Sequence, residues 1–460
     1  MSLQVKPVLV YEIYQKQSMT SWRSWGGIQT EENVKDEEQR IKKELQILSA
    51  QLDFPLELLP LASVRDKKDV AALREELGAT DVTLIYAAGG SHELLRAVME
   101  SSNWNLVFLR HRSGPIYLWY EIIHPMVLRQ YSDKINNPKL DIDDIVVDSY
   151  DELQWRLRAL SGLKATSDTS VLALGGLSAW GMWSAPEIKT AALAMTRDKF
   201  KIDVTTVSYP EFANRLEKAR NDTQRVRQAH QMAENYLLDD TVTLQTTRES
   251  VDNAFLVYLV FKDLMRESGA AAITILDCMS TIIPIAKTTA CLPLSLINDE
   301  GNLAFCESDF VVIPSGILLH NISRKPTFLN DPTYPHDGII TLAHCTAPRR
   351  MNGKDFEPTR IVTHYESDYG AAPKVQFKEG QDVTVIVPDF KGESWVGFKG
   401  EIVESPFYPI CRSQAKVRIK GDWRALLTKM RGFHFMMGYG DYTKELGYAL
   451  KKAGIAWTLV

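Results

Sequence analysis

At 460 residues and 52.0 kDa, with 45% hydrophobic and 24% charged residues, the chain is too long for one core and has an ordinary globular composition, so two or three domains are expected. A net charge of −5 without a Lys/Arg-rich run excludes an electrostatic case for nucleic acid. No apolar run reaches the roughly 18 residues of a membrane span, and MSLQVKPVLV lacks a signal-peptide pattern, so a cytoplasmic protein with no membrane partner is expected.

Strand-like runs alternate with helical patterns from the start. Pro7–Ile13 is β-rich, and a charged helix follows over Thr30–Leu52. Leu56–Val64, Val82–Ala87 and Asn105–Leu109 are further apolar runs, each followed by a helical segment. This βαβα rhythm predicts a doubly wound parallel sheet. The turn Ala87-Ala88-Gly89-Gly90-Ser91 ends a strand and opens a helix, where backbone N–H groups can receive an anion. It matches neither GxGxxG nor a Walker loop, which favours a plain tight turn. Arg110-His111-Arg112 also follows a strand, as a polar-ligand contact or a solvated loop.

A second βαβ series begins at Ser170–Gly175 and continues through the glycine-rich turn Gly175–Gly181. Lys201–Ser208 reads as a strand, Pro210–Leu238 as one long charged helix and Val251–Glu267 as another. Strand Ile273–Leu276 then runs into Asp277, and a second apolar run ends at Phe305 to deliver Cys306, Glu307, Ser308 and Asp309. Acids where strands stop are what an α/β protein uses to build a site. An apolar helix-like run, Phe310–Leu319, comes next. After Pro348 the runs Ile361–Tyr365, Val383–Val387, Val396–Val403 and Ala415–Ile419, separated by Gly, Asp and Lys, predict a small antiparallel barrel or sandwich. The fold class expected is α/β: two doubly wound, Rossmann-like domains over 1–165 and 166–348, then a β-rich, barrel-like domain over 349–460.

Asp277, Glu307 and Asp309 offer the hard oxygen donors that a Mg²⁺- or Mn²⁺-type ion takes, often with an imidazole. Among nine histidines, His344 ends a strand in AHCTAP, and His434 lies in GFHFMMGYGDY. The five cysteines, Cys278, Cys291, Cys306, Cys345 and Cys411, are scattered without CxxC spacing. That argues for reduced thiols, against a disulfide framework and against a zinc site. No HExxH, GxSxG or P-loop is present.

The runs LSLINDEGNLAFCESD, KPTFLNDP, HCTAP, THYESDYGAAPKVQFKEGQDVTV and GFHFMMGYGDYTKELGYALKKAGI, from about Ala271 to Val460, resemble the L-fucose isomerase-like family, related to L-arabinose isomerase. SWRSWGG (Ser21–Gly27) and SGPIYLWYEI (Ser113–Ile122) match more faintly. The resemblance implies an aldose–ketose isomerase acting on a monosaccharide through an enediol. It implies a manganese ion, or another divalent cation such as Mg²⁺ or Co²⁺, held by two acids and a histidine. Asp309 and His434 match the family's aspartate and histidine ligands, with Asp277 or Glu307 as the further acid and proton shuttle. Arg110, His344, Trp423 and Tyr439 are candidate substrate contacts, the two aromatics by stacking on a sugar face, with core packing as their alternative. A homo-oligomer, trimer or hexamer, is implied, in which the first domain of one subunit closes its neighbour's site; Trp22, Trp25, Arg110 and Glu121 would then matter. Two alternatives stay open. Arg110-His111-Arg112 and the turns at 89–90 and 175–176 would suit an anionic, sulfonated or phosphorylated hexose. Loss of the first acid would leave a catalytically silent sugar-binding paralogue.

Overall fold

Strand β1 (Leu3–Val10) is buried along nearly its whole length, as a strand covered on both faces must be. It belongs to a computed structural model that describes residues 2–122, 139–180 and 186–460; Gly181 and the side chain of Glu121 lie outside them. The chain divides into two units, Met1–Ser161 and Gly162–Val460.

In the first unit, β1 is joined by β2 (Leu56–Leu58), β3 (Ala62–Val64), β4 (Val82–Ala87), β5 (Trp104–Leu109) and β6 (Ile145–Val147). All pair in parallel, in the order β2-β1-β4-β5-β6, with β3 beside the far end of β1. Helices Glu31–Gln51, Lys67–Ala79 and His92–Glu100 connect them. The first starts where Thr30 accepts from the Asn33 amide and Asn33 returns the bond, satisfying two amides a helix start leaves over. Val8, Val10, Ile85, Val107, Leu95 and Val98 form the core, each buried side chain contributing roughly 1.5–3 kcal/mol.

The second unit runs β7 (Ser170–Leu174), β8 (Asp203–Val207), β9 (Val242–Leu244), β10 (Ala272–Ile275), β11 (Leu303–Phe305), β12 (Phe328–Pro332), β13 (Ile339–His344), β14 (Thr359–Val362), β15 (Ala372–Val375), β16 (Asp382–Val387), β17 (Ser394–Glu404), β18 (Ser413–Ile419), β19 (Phe435–Tyr439) and β20 (Ala456–Leu459). Four of these form a second parallel sheet, β11-β10-β7-β8. Helix Arg248–Ser268, apolar on several sides, packs in its core and ends at Gly269 in the left-handed conformation. Strands β16-β19-β12-β13-β18-β17 pair antiparallel, and β17 returns to β16, closing a six-stranded barrel. Two barrel strands, β12 and β13, come from upstream of Pro348. The barrel's interior is Phe328, Leu342, Val385, Phe398, Val417 and Met437.

Several expected elements differ; the run over Leu56–Val64, for one, is two short strands, β2 and β3. The charged run over 210–238 is two helices, Tyr209–Asn221 and Thr223–Leu237, because Asp222 accepts from the amides of Gln224 and Arg225 and so caps a new helix. The run at Ile361 enters no barrel; β14 pairs with β9 and β15 in a separate three-stranded sheet. Among the described residues no single helix is long and apolar enough to cross a membrane.

Candidate functional site

The parallel sheet and the barrel of the second unit supply the two halves of one site. On the sheet side, β11 ends in Cys306-Glu307-Ser308-Asp309, and Glu307 and Ser308 both take left-handed backbone angles, φ +65° and +47°. Two consecutive non-glycine residues there cost on the order of 1–3 kcal/mol each. The turn they make is held by Trp180 Nε1 donating to the Glu307 carbonyl (3.3 Å) and by the Ser308 amide donating to Thr274 Oγ1 (3.2 Å). It breaks the alternation an extended CESD would have. Glu307 faces the cavity, while Asp309 turns inward and is fully buried.

On the barrel side the register does the work. Asn330 lies opposite Phe435, so the next residue along each antiparallel strand brings Asp331 to His434. Asp331 also lies opposite Ala343, one residue before His344. The His434 Nε2 atom comes within 3.4 Å of Glu307 Oε2 and 3.3 Å of Asp331 Oδ1, and His344 Nε2 within 3.7 Å of Glu307 Oε1.

Asp309 serves this group from behind. Its Oδ2 accepts the Nδ1 proton of His434 at 2.8 Å, and its Oδ1 accepts from the amides of Trp180 (2.9 Å) and Val311 (3.0 Å). With Nδ1 so engaged, Nε2 of His434 faces Glu307 and Asp331, the orientation an outer partner gives a metal-bound imidazole. In the structure Asp309 thus orients the His434 ring from its far side and belongs to none of the candidate ligand groups among the described residues, whereas the sequence led one to expect it among the ligands.

Burial pushes the Glu307 carboxyl up, but hydrogen bonding and charge from His344 and His434 outweigh it and hold the group well below the usual carboxylate range. Burial alone would lower both imidazoles. The Asp309 hydrogen bond and the close approach of the Asp331 and Glu307 carboxylates outweigh it and drive His434 well above its ordinary value, and Glu307 with the nearby Asp331 charge raises His344. The Nε2 atoms of both histidines are nonetheless buried with no aligned hydrogen-bond partner among the described residues. Buried polar atoms are rarely left so. Asp331, His344 and His434 hold their ligand atoms within 4.8 Å of one another, and Glu307 with His344 and Cys306 forms an overlapping group. Two carboxylates and one or two neutral imidazoles suit a Mn²⁺-, Mg²⁺- or Co²⁺-type ion, which such residues fit.

The group opens into a cavity of about 470 Å³, a size that accepts a monosaccharide. Trp180 and Phe433 form an aromatic wall, ring centroids 5.3 Å apart, beside His434. The described lining carries the acids Asp277, Glu307, Asp331 and Glu366 and no lysine or arginine.

Other sequence candidates have different tasks. Asp277 reaches the cavity, but its carboxylate caps the turn Cys278–Ile282, accepting from the Ser280 amide (3.0 Å), the Ser280 hydroxyl and Thr281 Oγ1 (3.0 Å). Tyr439 is buried in the barrel, its hydroxyl donating to Glu357 Oε1 at 2.7 Å, and Trp423 packs against the barrel core beneath the Arg424 guanidinium. Neither lines the cavity. Arg110 is 1% exposed in the first unit, donating to Glu37 Oε1 and Glu44 Oε2, both at 2.6 Å. The amides of His111, Arg112 and Ser113 are taken by Asp148, and those of Ala88 and Gly89 by the Val10 carbonyl. These backbone amides are therefore engaged by the chain itself, and the Arg110 guanidinium is held by Glu37 and Glu44. Gly175 is required for another reason: at φ +84° a Cβ there would sit 2.2 Å from the Tyr209 ring, whose hydroxyl accepts from the Asp277 amide.

Asp331 was the residue missed. It lies in KPTFLNDP, next to the last position of a strand, which is the same signal that drew attention to Asp277 and Glu307. No family model matches the chain, and no curated protein matches it.

Proposed function

We propose that the chain is a divalent-metal-dependent isomerase that interconverts a neutral aldose and its ketose. The observation that carries this reading is the convergence of the Glu307 and Asp331 carboxylates on Nε2 of His434, at 3.4 and 3.3 Å, beside an aromatic-walled cavity. The resemblance of the second half to L-fucose isomerase-like proteins points the same way. So does the finer fold reading, in which each parallel sheet is the centre of a doubly wound, Rossmann-like domain.

Glu307, Asp331 and His434 would hold the ion, with His344 beside them. Bound there, it would supply Lewis-acid stabilisation of the negative charge that develops on the substrate during enolisation. The protein groups do the rest. A carboxylate of the Glu307–Asp331 pair removes the C2 proton of the open-chain aldose and returns it to C1, while the hydroxyl proton moves from O2 to O1. Asp309 keeps the His434 ring in its tautomer, and Trp180 and Phe433 cover the sugar's apolar face and exclude water from the enediol.

The absence of lysine and arginine from the described lining, with Arg110 tied up by Glu37 and Glu44, favours a neutral sugar over a sulfonated or phosphorylated one. The pair of acids beside His434 favours an enzyme over a silent sugar-binding paralogue. The test is NMR in D₂O with Mn²⁺ over a panel of neutral aldoses. Deuterium should enter at C2 of one of them and fail to do so with Asp331→Asn or Glu307→Gln. A Mn²⁺-loaded protein that exchanges no aldose proton would overturn the reading.

A further inference from the structure

Four of the five cysteines, spread over 278–411 in the sequence, meet in one place. The fold brings them from separate elements: Cys278 from the turn after β10, Cys291 from the first residue of helix Cys291–Asp299, Cys345 from just past β13, and Cys411 from the loop before β18. His364 arrives from the β14–β15 loop. The ligand atoms of Cys291, Cys345 and His364 lie within 4.8 Å of one another, all three residues buried. Cys345 is the hub, touching Cys291, Cys411 and the His364 ring, and Cys278 lies behind against Cys291. The surroundings are those of a thiolate site. The Arg412 amide donates to Cys345 Sγ and the Ala290 amide to Cys278 Sγ, each at 3.4 Å. The Nδ1 atom of His364 is engaged with Ser367 Oγ at 3.2 Å, which fixes the ring and leaves Nε2 as the donor.

We propose that Cys291, Cys345, Cys411 and His364 form a second metal site, for Zn²⁺ in a tetrahedral three-thiolate, one-imidazole set. It would lie in the same cavity as the carboxylate–imidazole site but select a different ion. Thiolates take zinc and softer metals, whereas the Glu307–Asp331 end takes oxygen-seeking ions. The division falls between adjacent residues, His344 serving one site and Cys345 the other. Binding displaces the three thiol protons to solvent as the Zn–S bonds form. The ion would cross-link the helix at Cys291, the end of β13 and the loops at His364 and Cys411, bracing one wall of the cavity. No CxxC spacing announces the site because each ligand comes from a different element.

Co²⁺ serves as the spectroscopic probe on the full-length, reduced, metal-stripped protein. A thiolate-to-cobalt charge-transfer band in the near ultraviolet, with intense tetrahedral bands in the visible, is expected at one equivalent per chain. Glu307→Gln should retain both, and Cys345→Ser should lose them. Because Cys345→Ser can fail to fold, a second measurement uses the unaltered chain: stoichiometric Zn²⁺ should slow modification of three of its five thiols by a disulfide reagent at least tenfold, and a chelator should reverse it. Absence of the charge-transfer band, or thiol reactivity indifferent to Zn²⁺, would overturn the proposal.

Discussion

Asp309 and Asp331 both touch His434, yet they stand on opposite sides of the ring and predict different phenotypes. Asp309 meets Nδ1 and is wholly buried; Asp331 approaches Nε2 from the cavity. Asp309→Asn keeps the shape and an oxygen for the Trp180 and Val311 amides but weakens the hold on the imidazole, so Mn²⁺ affinity should fall about 10–100-fold. Asp331→Asn removes one of the proposed ligands and should abolish tight binding; calorimetric titration separates the two. A second acid predicts a pH effect on stability. Burial, only partly offset by the Tyr439 hydroxyl and the Lys378 amide, raises the Glu357 carboxyl to about 7, and its Oε2 has no partner among the described residues. Its ionised form is disfavoured in the fold, so stability is full below the unfolded value and is lost as pH rises through about 7. Glu357→Gln should therefore be stabilising by on the order of 2 kcal/mol at pH 8 and nearly neutral at pH 4, read from urea midpoints. At this scale the sequence was half legible. Glu307 and His434 stood out because strand ends and a glycine-rich turn flank them. The opposite facings of Glu307 and Asp309 depend on two left-handed residues that no residue-type rule predicts for Glu and Ser.

Among the elements, apolar runs located the central strands well, because a strand buried on both faces has no polar alternation to confuse the reading. Caps were harder. Asp222 sits in a run of good helix formers, and only its carboxylate accepting from two following amides splits the helix. Asp222→Ala should cost about 1 kcal/mol, detectable as a lower urea midpoint without loss of metal binding. Gly175 has a sharper role. An added Cβ meets Tyr209, and Tyr209 in turn fixes the backbone at Asp277 on the cavity rim. Gly175→Ala should destabilise by on the order of 2 kcal/mol or more and should also weaken sugar binding, as equilibrium unfolding and ligand titration would measure. Local runs announced an antiparallel barrel or sandwich but not which strands would close it. Its first two strands precede Pro348, and pairing β16 to both β17 and β19 is a long-range choice set by packing of the interior side chains.

Taken whole, the second unit joins a parallel sheet to a barrel, and each supplies part of the proposed ion site: Glu307 from one, Asp331 and His434 from the other, with His344 beside them. A cation bound there ties the two together, so it should stabilise the folded chain against unfolding. At about 100 times its dissociation constant Mn²⁺ should add about 2.7 kcal/mol, seen as a higher melting temperature that a chelator reverses. The central claim is that Glu307, Asp331 and His434 are the groups that hold this ion. Pulsed electron paramagnetic resonance of the Mn²⁺-loaded protein tests it most directly. A nitrogen hyperfine coupling from an imidazole is predicted in the wild-type chain, and its loss in His434→Gln. A Mn²⁺ signal without nitrogen coupling, or one that Glu307→Gln and Asp331→Asn leave unchanged, would contradict the account.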